Sequence, residues 1–175
     1  MSEISDISGK IVEVPAANTR CEMTQIVMPG QTNAIGTVFG GQVMAWIDVC
    51  AAVSAQRFCR TNVVTAAMDQ LVFERPVRQG EIAVIQAMVN WAGRTSMEVG
   101  VRVESEHPHT GVRLHTATAY LTFVALNAEG KPTGVPKLRI EHADEIRRWS
   151  DAEGRRMDRL TARARIVQSR SFGAS

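Results

Sequence analysis

A long apolar segment, Gln42 to Cys59, constrains this chain more than any other feature of its sequence. The segment contains neither Gly nor Pro and directly follows the pair Gly40-Gly41. An unbroken run of this length predicts a helix, and the two glycines predict a loop in which backbone can approach closely. The first N–H groups of a helix have no acceptor within it, so they can hold an anion or a developing oxyanion. A helix that is apolar on nearly every side must be enclosed by protein.

Asp48 is the acidic residue of this helix. Its neighbours at helical spacing are apolar: Met44, Ala45, Ala51 and Ala52. A carboxylate in such surroundings is rarely buried unless another group pairs with it or a reaction uses it. The helix alone therefore leaves two interpretations open, a structural acid paired with an arginine or a neighbouring loop, and a catalytic acid or base.

Alternating apolar residues predict five strands around this helix. The predicted strands span residues 20–28, 63–73, 81–91, 95–104 and 114–126. The four long ones follow the helix and are joined mainly by short turns, so the sheet is expected to be antiparallel and the fold class α+β. The alternation is clearest in the fourth strand, where Met97, Val99, Val101 and Val103 are assigned to the core face, and Ser96, Glu98, Arg102 and Glu104 to the solvent face.

The composition changes at Lys137, which divides the chain into a domain at residues 1–136 and a basic extension at residues 137–175. The extension holds ten of the twenty Lys and Arg residues but six of the eighteen acids. We expect one or two surface helices here, docked on the same or a neighbouring subunit through a narrow apolar stripe: Ile140, Ala143, Ile146 and Trp149. Acids are interspersed with the arginines, so nucleic-acid binding is not expected.

Composition and termini indicate a cytoplasmic globular protein. Three cysteines, Cys21, Cys50 and Cys59, are an odd number without metal-ligand spacing, which favours free thiols in a reducing compartment. The N-terminus carries acids where a secretory signal would carry positive charge, and no stretch has the roughly 20 apolar residues of a spanning helix. We expect no membrane association.

The pattern Asn33-x-x-Gly36-x-x-Phe39-Gly40-Gly41, with Asp48 at a fixed offset in the helix, resembles the active-site segment of hotdog-fold acyl-CoA thioesterases of the acyl-CoA hydrolase branch. The resemblance implies a hotdog fold, in which a curved sheet wraps around the central helix. It also implies hydrolysis of acyl-CoA to CoA and a carboxylic acid. Asp48 would act as general base or nucleophile, and sequence does not decide between the two roles.

The resemblance further implies a homo-oligomer, in which two chains form a dimer and three such dimers form a trimer of dimers. Each site would combine Asp48 of one chain with Asn33 of the other. The backbone amides of Gly40 and especially Gly41 would polarise the thioester oxygen. The alternative roles are structural: Asn33 as a turn residue, and the two glycines as a means of close packing.

Two more segments match the family. Thr65 lies on the strand after the helix, where relatives carry Thr or Ser, and is expected to make a supporting bond near the bound CoA substrate rather than to act as a catalyst. The turn Arg94-Thr95-Ser96 resembles the family segment near the pantetheine and phosphates of CoA, although Arg94 could equally be a solvated turn residue. Phe73-x-x-Pro76-Val77 is expected to shape the acyl or pantetheine tunnel. The resemblance implies no metal or redox cofactor, since CoA is part of the substrate.

Two other functions remain open. A hotdog hydratase or dehydratase would usually rely on a His with an acid, and neither the loop nor the helix contains a His. An acyl-CoA sensor without activity would share the binding groove, and the basic extension is compatible with it. No His-x-Glu, Cys-x-x-Cys or Gly-x-Ser-x-Gly pattern supports a zinc or serine hydrolase. Acyl chain length depends on how a few side chains close the tunnel, with these as candidates: Met44, Met68, Phe73 and Met88.

Overall fold

The computed structural model of the protein describes residues 12–172. The acidic N-terminal residues used above lie outside this range. The strands and helices are β1 Glu13–Pro15, β2 Cys21–Ile26, α1 Gly40–Cys59, β3 Asn62–Phe73, β4 Ile82–Ala92, β5 Ser96–Glu106, β6 Arg113–Leu126, β7 Lys137–Arg139 and α2 Ala143–Phe172. The helix and the five strands predicted from the sequence are all present, with small shifts at their ends. The C-terminal extension forms one helix after a short strand.

Five strands form one antiparallel sheet in the order β2-β4-β5-β6-β3. β4, β5 and β6 are paired on both sides, whereas β2 and β3 lie at the two edges of the sheet in the described part of the chain. Two register shifts interrupt the pairing of β3 with β6. The short strands β1 and β7 pair separately and parallel.

Helix α1 lies against one face of the sheet, called here the inner face. Phe39 precedes the helix in an extended conformation, and Arg60 ends it in the left-handed region at φ 55° with its N–H bonded to the Gln56 carbonyl at 2.9 Å. The apolar face of α1 packs on the alternating inward residues of β5, which are buried as predicted. Burying these side chains is the main stabilisation of the fold.

The opposite side of α1 is open in the single chain. Met44 is 43% and Val49 is 55% exposed, and Ala45 is also exposed. The expectation that protein encloses the helix on every side is therefore wrong for one chain by itself. Exposed apolar residues along one helix stripe are typical of a surface that another subunit covers.

Helix α2 covers the other face of the sheet, called here the outer face. Trp149 packs on Trp91 of β4 with ring centroids 6.1 Å apart. Arg155 forms a two-pronged ion pair with Glu98 of β5, the shorter contact being 2.7 Å. Further along the helix, Arg159 pairs with the edge-strand residue Asp69.

Two predictions about this face are wrong. Glu98 does not face solvent but is 2% exposed, because α2 lies over it. The predicted stripe on α2 is not the docked side either, since Ala143 is exposed and Ile146 is 62% exposed. Trp149 of that stripe packs on the sheet, and the rest of the docked side includes the buried Ala152 and the ion-paired Arg155.

Candidate active site

The Asn33 side chain organises the loop before α1. Its Oδ1 accepts bonds from the N–H groups of Ile35 at 3.1 Å and Thr37 at 3.2 Å, and its Nδ2 donates to the Thr37 hydroxyl at 2.9 Å. The residue is exposed, so the amide is held in place and open to solvent. The structural role considered for Asn33 is therefore real. Sequence reasoning did not identify Thr37. Its position four residues after Asn33 gives no sequence indication of these bonds.

Gly40 and Gly41 form the first turn of α1. A Cβ on Gly41 would lie 2.5 Å from the Phe39 ring, and one on Gly40 would lie 3.8 Å from the Phe73 ring. A larger residue at Gly41 would displace the Phe39 ring, which is 61% exposed. The Gln42 and Val43 amides bond the Phe39 carbonyl, whereas the Gly40 and Gly41 amides precede the first helical acceptor and are available to an oxyanion.

Asp48 is held by Thr65. The Thr65 hydroxyl donates to Asp48 Oδ1 at 2.7 Å, joining α1 to the inner face of β3. The other carboxylate oxygen, Oδ2, has no hydrogen-bond partner within residues 12–172. Asp48 is half-buried. The sequence predicts a supporting bond for Thr65 without naming its partner, and the structure gives that partner as Asp48. The pair presents one oriented carboxylate oxygen at the edge of the sheet.

Asp48 and Gly41 do not meet within one chain. They are seven residues apart on α1, which corresponds to about 10 Å along the helix axis. The described bonds of the Asn33 side chain all lie within its own loop. A carbonyl about 3 Å from both the Gly41 amide and the Asp48 carboxylate is therefore impossible in a single chain.

The turn Gly93-Arg94-Thr95-Ser96 joins β4 to β5. The Gly93 N–H bonds the Ser96 carbonyl at 2.8 Å, and the Arg94 and Thr95 carbonyls accept bonds from residues further along the chain at 3.0 Å each. Ser96 lies opposite Val124 of β6, which in turn lies opposite a β3 residue next to Thr65. The turn is thus separated from the Thr65 region of β3 by about two strand spacings, or roughly 10 Å.

An apolar cavity of about 330 Å³ lies beside the start of α1. It is lined by Val38, Gly40, Val43, Phe73, Pro76, Val77 and the adjoining residues Glu74, Arg75 and Thr116. The predicted tunnel residues Phe73, Pro76 and Val77 thus meet the glycine loop. Met88, also proposed for the tunnel, lines a different cavity beside α2 on the outer face.

Comparison with known proteins identifies the family. The Thioesterase superfamily model matches residues 35–112. The uncharacterized acyl-CoA thioester hydrolase YkhA of Bacillus subtilis is 46% identical over 123 residues, which cover 70% of this chain and 72% of that protein. The chain belongs to the acyl-CoA thioester hydrolase family. The mouse acyl-coenzyme A thioesterase 11 is 36% identical over 84% of this chain, which spans only 25% of that protein's length.

Solved structures of this family confirm the hotdog fold. An acyl-CoA hydrolase from Staphylococcus aureus, in complex with butyryl-CoA and CoA, has 35% identity and a TM-score of 0.86 over 94% of this chain and 100% of its own. Three other structures of that enzyme are single alanine variants, one of an aspartate, one of an asparagine and one of a threonine. Those residues are separated by 15 and 17 positions, which are the separations of Asn33, Asp48 and Thr65 here.

Proposed function

We propose that this member of the family hydrolyses acyl-CoA to CoA and a carboxylic acid at a site centred on Asp48. The observation that carries the proposal is the half-buried carboxylate oriented by Thr65, with its second oxygen available. The matching separations of the three substituted residues in the S. aureus enzyme support it.

Asp48 can serve the reaction in two ways. As a base, Oδ2 takes a proton from water while the water oxygen attacks the thioester carbon, and the C–S bond then breaks as the CoA sulfur takes a proton. As a nucleophile, Oδ2 attacks the carbon, CoA leaves, and water hydrolyses the resulting anhydride. A single turnover in ¹⁸O-water separates them, because only the nucleophilic route can place ¹⁸O in the Asp48 side chain when water attacks the aspartyl carbonyl.

We propose that two chains build each site. Thr65, at one end of β3, contacts Asp48, and Phe73, at the other end, lies beside Gly40. If two copies of β3 pair antiparallel about a two-fold axis, the Phe73 end of one strand lies beside the Thr65 end of its partner. The glycine loop and Asn33 of one chain then lie close to Asp48 of the other chain. The pairing thus brings together groups that are too far apart within a single chain.

The edge strand supports this pairing. Val64 is 46% and Val72 is 55% exposed on β3, and a long apolar edge in a single chain is a template for another strand. Two-fold pairing would also cover part of the exposed side of α1. A related acyl-CoA thioesterase, with 38% identity and a TM-score of 0.85 over 88% of this chain, has a hexameric structure. We extend the proposal to a trimer of dimers on that basis.

The substrate itself supplies the binding handle. We place the acyl or pantetheine chain in the cavity beside Phe73 and the CoA phosphates near Arg94, with the Thr95 and Ser96 hydroxyls close by. Remote contacts of this kind can position the reacting carbonyl. The proposed reaction uses no metal or redox cofactor. No helix of the described chain is long and apolar enough to cross a membrane. We propose a cytoplasmic setting, as in the rat relative named cytosolic acyl-CoA thioester hydrolase.

Thiol release from a panel of acyl-CoA substrates tests the reaction. We expect wild type to release CoA, and Asp48→Ala and Asn33→Ala to lose on the order of a hundredfold in turnover while keeping their fold and oligomeric state. The panel also gives the preferred acyl length. If wild type binds CoA but releases no thiol from any substrate, the hydrolase proposal fails and the sensor takes its place.

Mixing the two inactive variants tests the shared site. In a mixed dimer one site combines the intact Asn33 and Asp48, and the other carries both substitutions. Random exchange of subunits should therefore restore about a quarter of wild-type activity. If both residues act within one chain, mixing restores nothing. Asp48→Ala mixed with itself is the matched control.

A further inference from the structure

Helix α2 crosses the outer face of the sheet along one row of paired residues. The row holds one residue from each of four neighbouring strands, in the order β4, β5, β6 and β3: Trp91, Glu98, Thr122 and Ala67. The helix contacts β4 through Trp149, β5 through Arg155 and β3 through Arg159. From the first to the last of these contacts the helix advances about 15 Å, which matches three strand spacings. Helix α2 therefore runs across the strands and not along them.

The last part of α2 extends past the edge of the sheet. Arg159 pairs with Asp69 on β3, the edge strand, and the helix continues to Phe172. At 1.5 Å per residue, residues 160–172 reach about 20 Å beyond this contact. A helical segment of this length is marginal in water by itself and gains most of its stability from packing. We therefore expect it to pack on a surface that the sheet of a single chain does not supply.

An exposed apolar patch lies on one flank of α2 where the helix leaves the sheet. Met157 is 59% and Leu160 is 44% exposed, and Ala164 is exposed one turn further on. Spacings of three and four residues place these side chains on one flank, about a third of a turn from the docked Ala152 and Arg159. These three residues are called here the lateral patch. The opposite flank faces a cavity on the outer face and is charged: Arg147, Arg148, Asp151 and Arg155.

The point at which α2 leaves the sheet coincides with the proposed two-fold axis. Asp69 lies midway in sequence between Thr65 and Phe73, the two positions that the proposed β3 pairing brings side by side. If the partner strand lies one spacing away, the axis is about 2.4 Å beyond β3, or one to two helix residues beyond Arg159. The helix position nearest the axis is then 160 or 161. The midpoint of the lateral patch also falls between these two positions.

We propose that the lateral patch is a self-interaction site, at which the α2 helices of two subunits pack antiparallel over the two-fold axis. Leu160 then lies against Leu160 of the partner subunit, and Met157 lies against Ala164 of the partner subunit, with helix axes about 8–10 Å apart. A second copy of this chain is the occupant, because an apolar patch centred on a two-fold axis is complementary to itself. The inference rests on the proposed two-chain site and adds a second contact that holds the two chains together.

Thiol crosslinking of the full-length protein tests this contact. The three native cysteines are buried, so wild type gives the background. We expect Leu160→Cys to form a covalent dimer with a short bis-maleimide at least about tenfold above wild type, because the two thiols meet at high effective concentration. Ile146→Cys is the matched control, since it lies on the same exposed flank but about 21 Å earlier along the helix, and should stay at background. Asp158→Cys, close to the axis but on the charged flank, should also stay near background.

The outcomes separate this inference from the proposed function. If wild type sediments as a dimer but Leu160→Cys crosslinks no more than Ile146→Cys, the helix contact is absent and the shared site is unaffected. More crosslinking from Asp158→Cys than from Leu160→Cys would place the charged flank at the contact and overturn the inference. If Leu160→Cys crosslinks although mixing of the two inactive variants restores no activity, the helix contact stands and the shared site fails. A monomeric wild type would remove both.

Discussion

The two faces of the sheet are each covered by a helix, but by different chemistry. On the inner face, α1 buries apolar side chains completely, as with Ile47 and Phe58 at 0% exposure. On the outer face, α2 docks through the Trp149–Trp91 contact and the Arg155–Glu98 pair. The inner face is a close-packed apolar core, whereas the outer face combines aromatic and charged contacts with a cavity beside them.

This difference has an energetic consequence. Apolar burial is non-directional and stabilises in proportion to the area removed from water. A buried ion pair must offset the desolvation of both charges, so its net contribution is small even though losing one partner is costly. At Arg155, burial acts to lower the pKa, but the hydrogen bond and charge of Glu98 outweigh it and raise the pKa above its ordinary value. The inner face should therefore set stability, and the outer face the position of α2.

The largest effect is expected on the inner face. Phe58→Ala removes a ring that is fully buried between α1 and the sheet. We expect the free energy of unfolding to fall by about 4 kcal/mol, from lost burial and the cavity left behind. Urea denaturation followed by circular dichroism measures it. Ile146→Ala, on the exposed side of α2, is the control and should change stability by less than about 0.5 kcal/mol. Equal effects would remove the distinction between the faces.

The outer face should show a non-additive response. Arg155→Ala leaves Glu98 buried without its cation, and we expect a loss of about 3 kcal/mol. Replacing both residues by Leu should return stability to within about 1 kcal/mol of wild type, because no uncompensated charge remains. Arg147→Ala, from the exposed pair with Asp151 at 3.2 Å, should cost less than about 0.5 kcal/mol. If the double variant is as unstable as Arg155→Ala, the pair itself contributes net stability.

The same contrast explains which parts of the fold the sequence could predict. The α1 helix and the strands follow from local apolar period and turn residues, so their positions were predictable. Glu98 lies in a strand of alternating apolar and polar residues, and this alternation alone assigns its side chain to the solvent face. Its partner Arg155 lies 57 residues further along the chain. No local pattern records that contact, and the stripe proposed for α2 was wrong for the same reason, since ion pairs to distant strands share the docked side with Trp149 and Ala152.

The two proposed sites show the same limit. The glycine loop, Asp48 and Thr65 lie in two neighbouring elements, and their spacing matches a known pattern, so the sequence could propose them together. The row that α2 crosses draws one residue from each of four strands. None of these strands has a motif that indicates the row. Only the folded chain shows that Met157, Leu160 and Ala164 lie where α2 leaves the sheet.

Alkaline pH should lower the free energy of unfolding through a group on the inner face, by less than the substitutions above. Burial, and next to it the neighbouring thiol of Cys21, raises the pKa of Cys50 on α1 to about 12 from an ordinary value of 9.0. Between these values the unfolded chain loses the Cys50 proton and the folded chain keeps it. The folded pKa is the higher one, so this stabilisation is complete below about pH 9 and declines as pH rises, by up to about 1.4 kcal/mol per pH unit.

Cys50→Ala tests this sign. We expect the variant to lose less stability than wild type between about pH 9.5 and 10.5, by up to about 1.4 kcal/mol, whatever its stability at neutral pH. Arg155 on the outer face remains charged throughout this range, since its pKa is ordinarily far above these pH values and the hydrogen bond and charge of Glu98 raise it further. The double Leu variant of the outer pair should therefore keep the wild-type slope of stability against pH. If Cys50→Ala has the same slope of unfolding free energy against pH as wild type, the Cys50 thiol does not contribute to the loss of stability at alkaline pH.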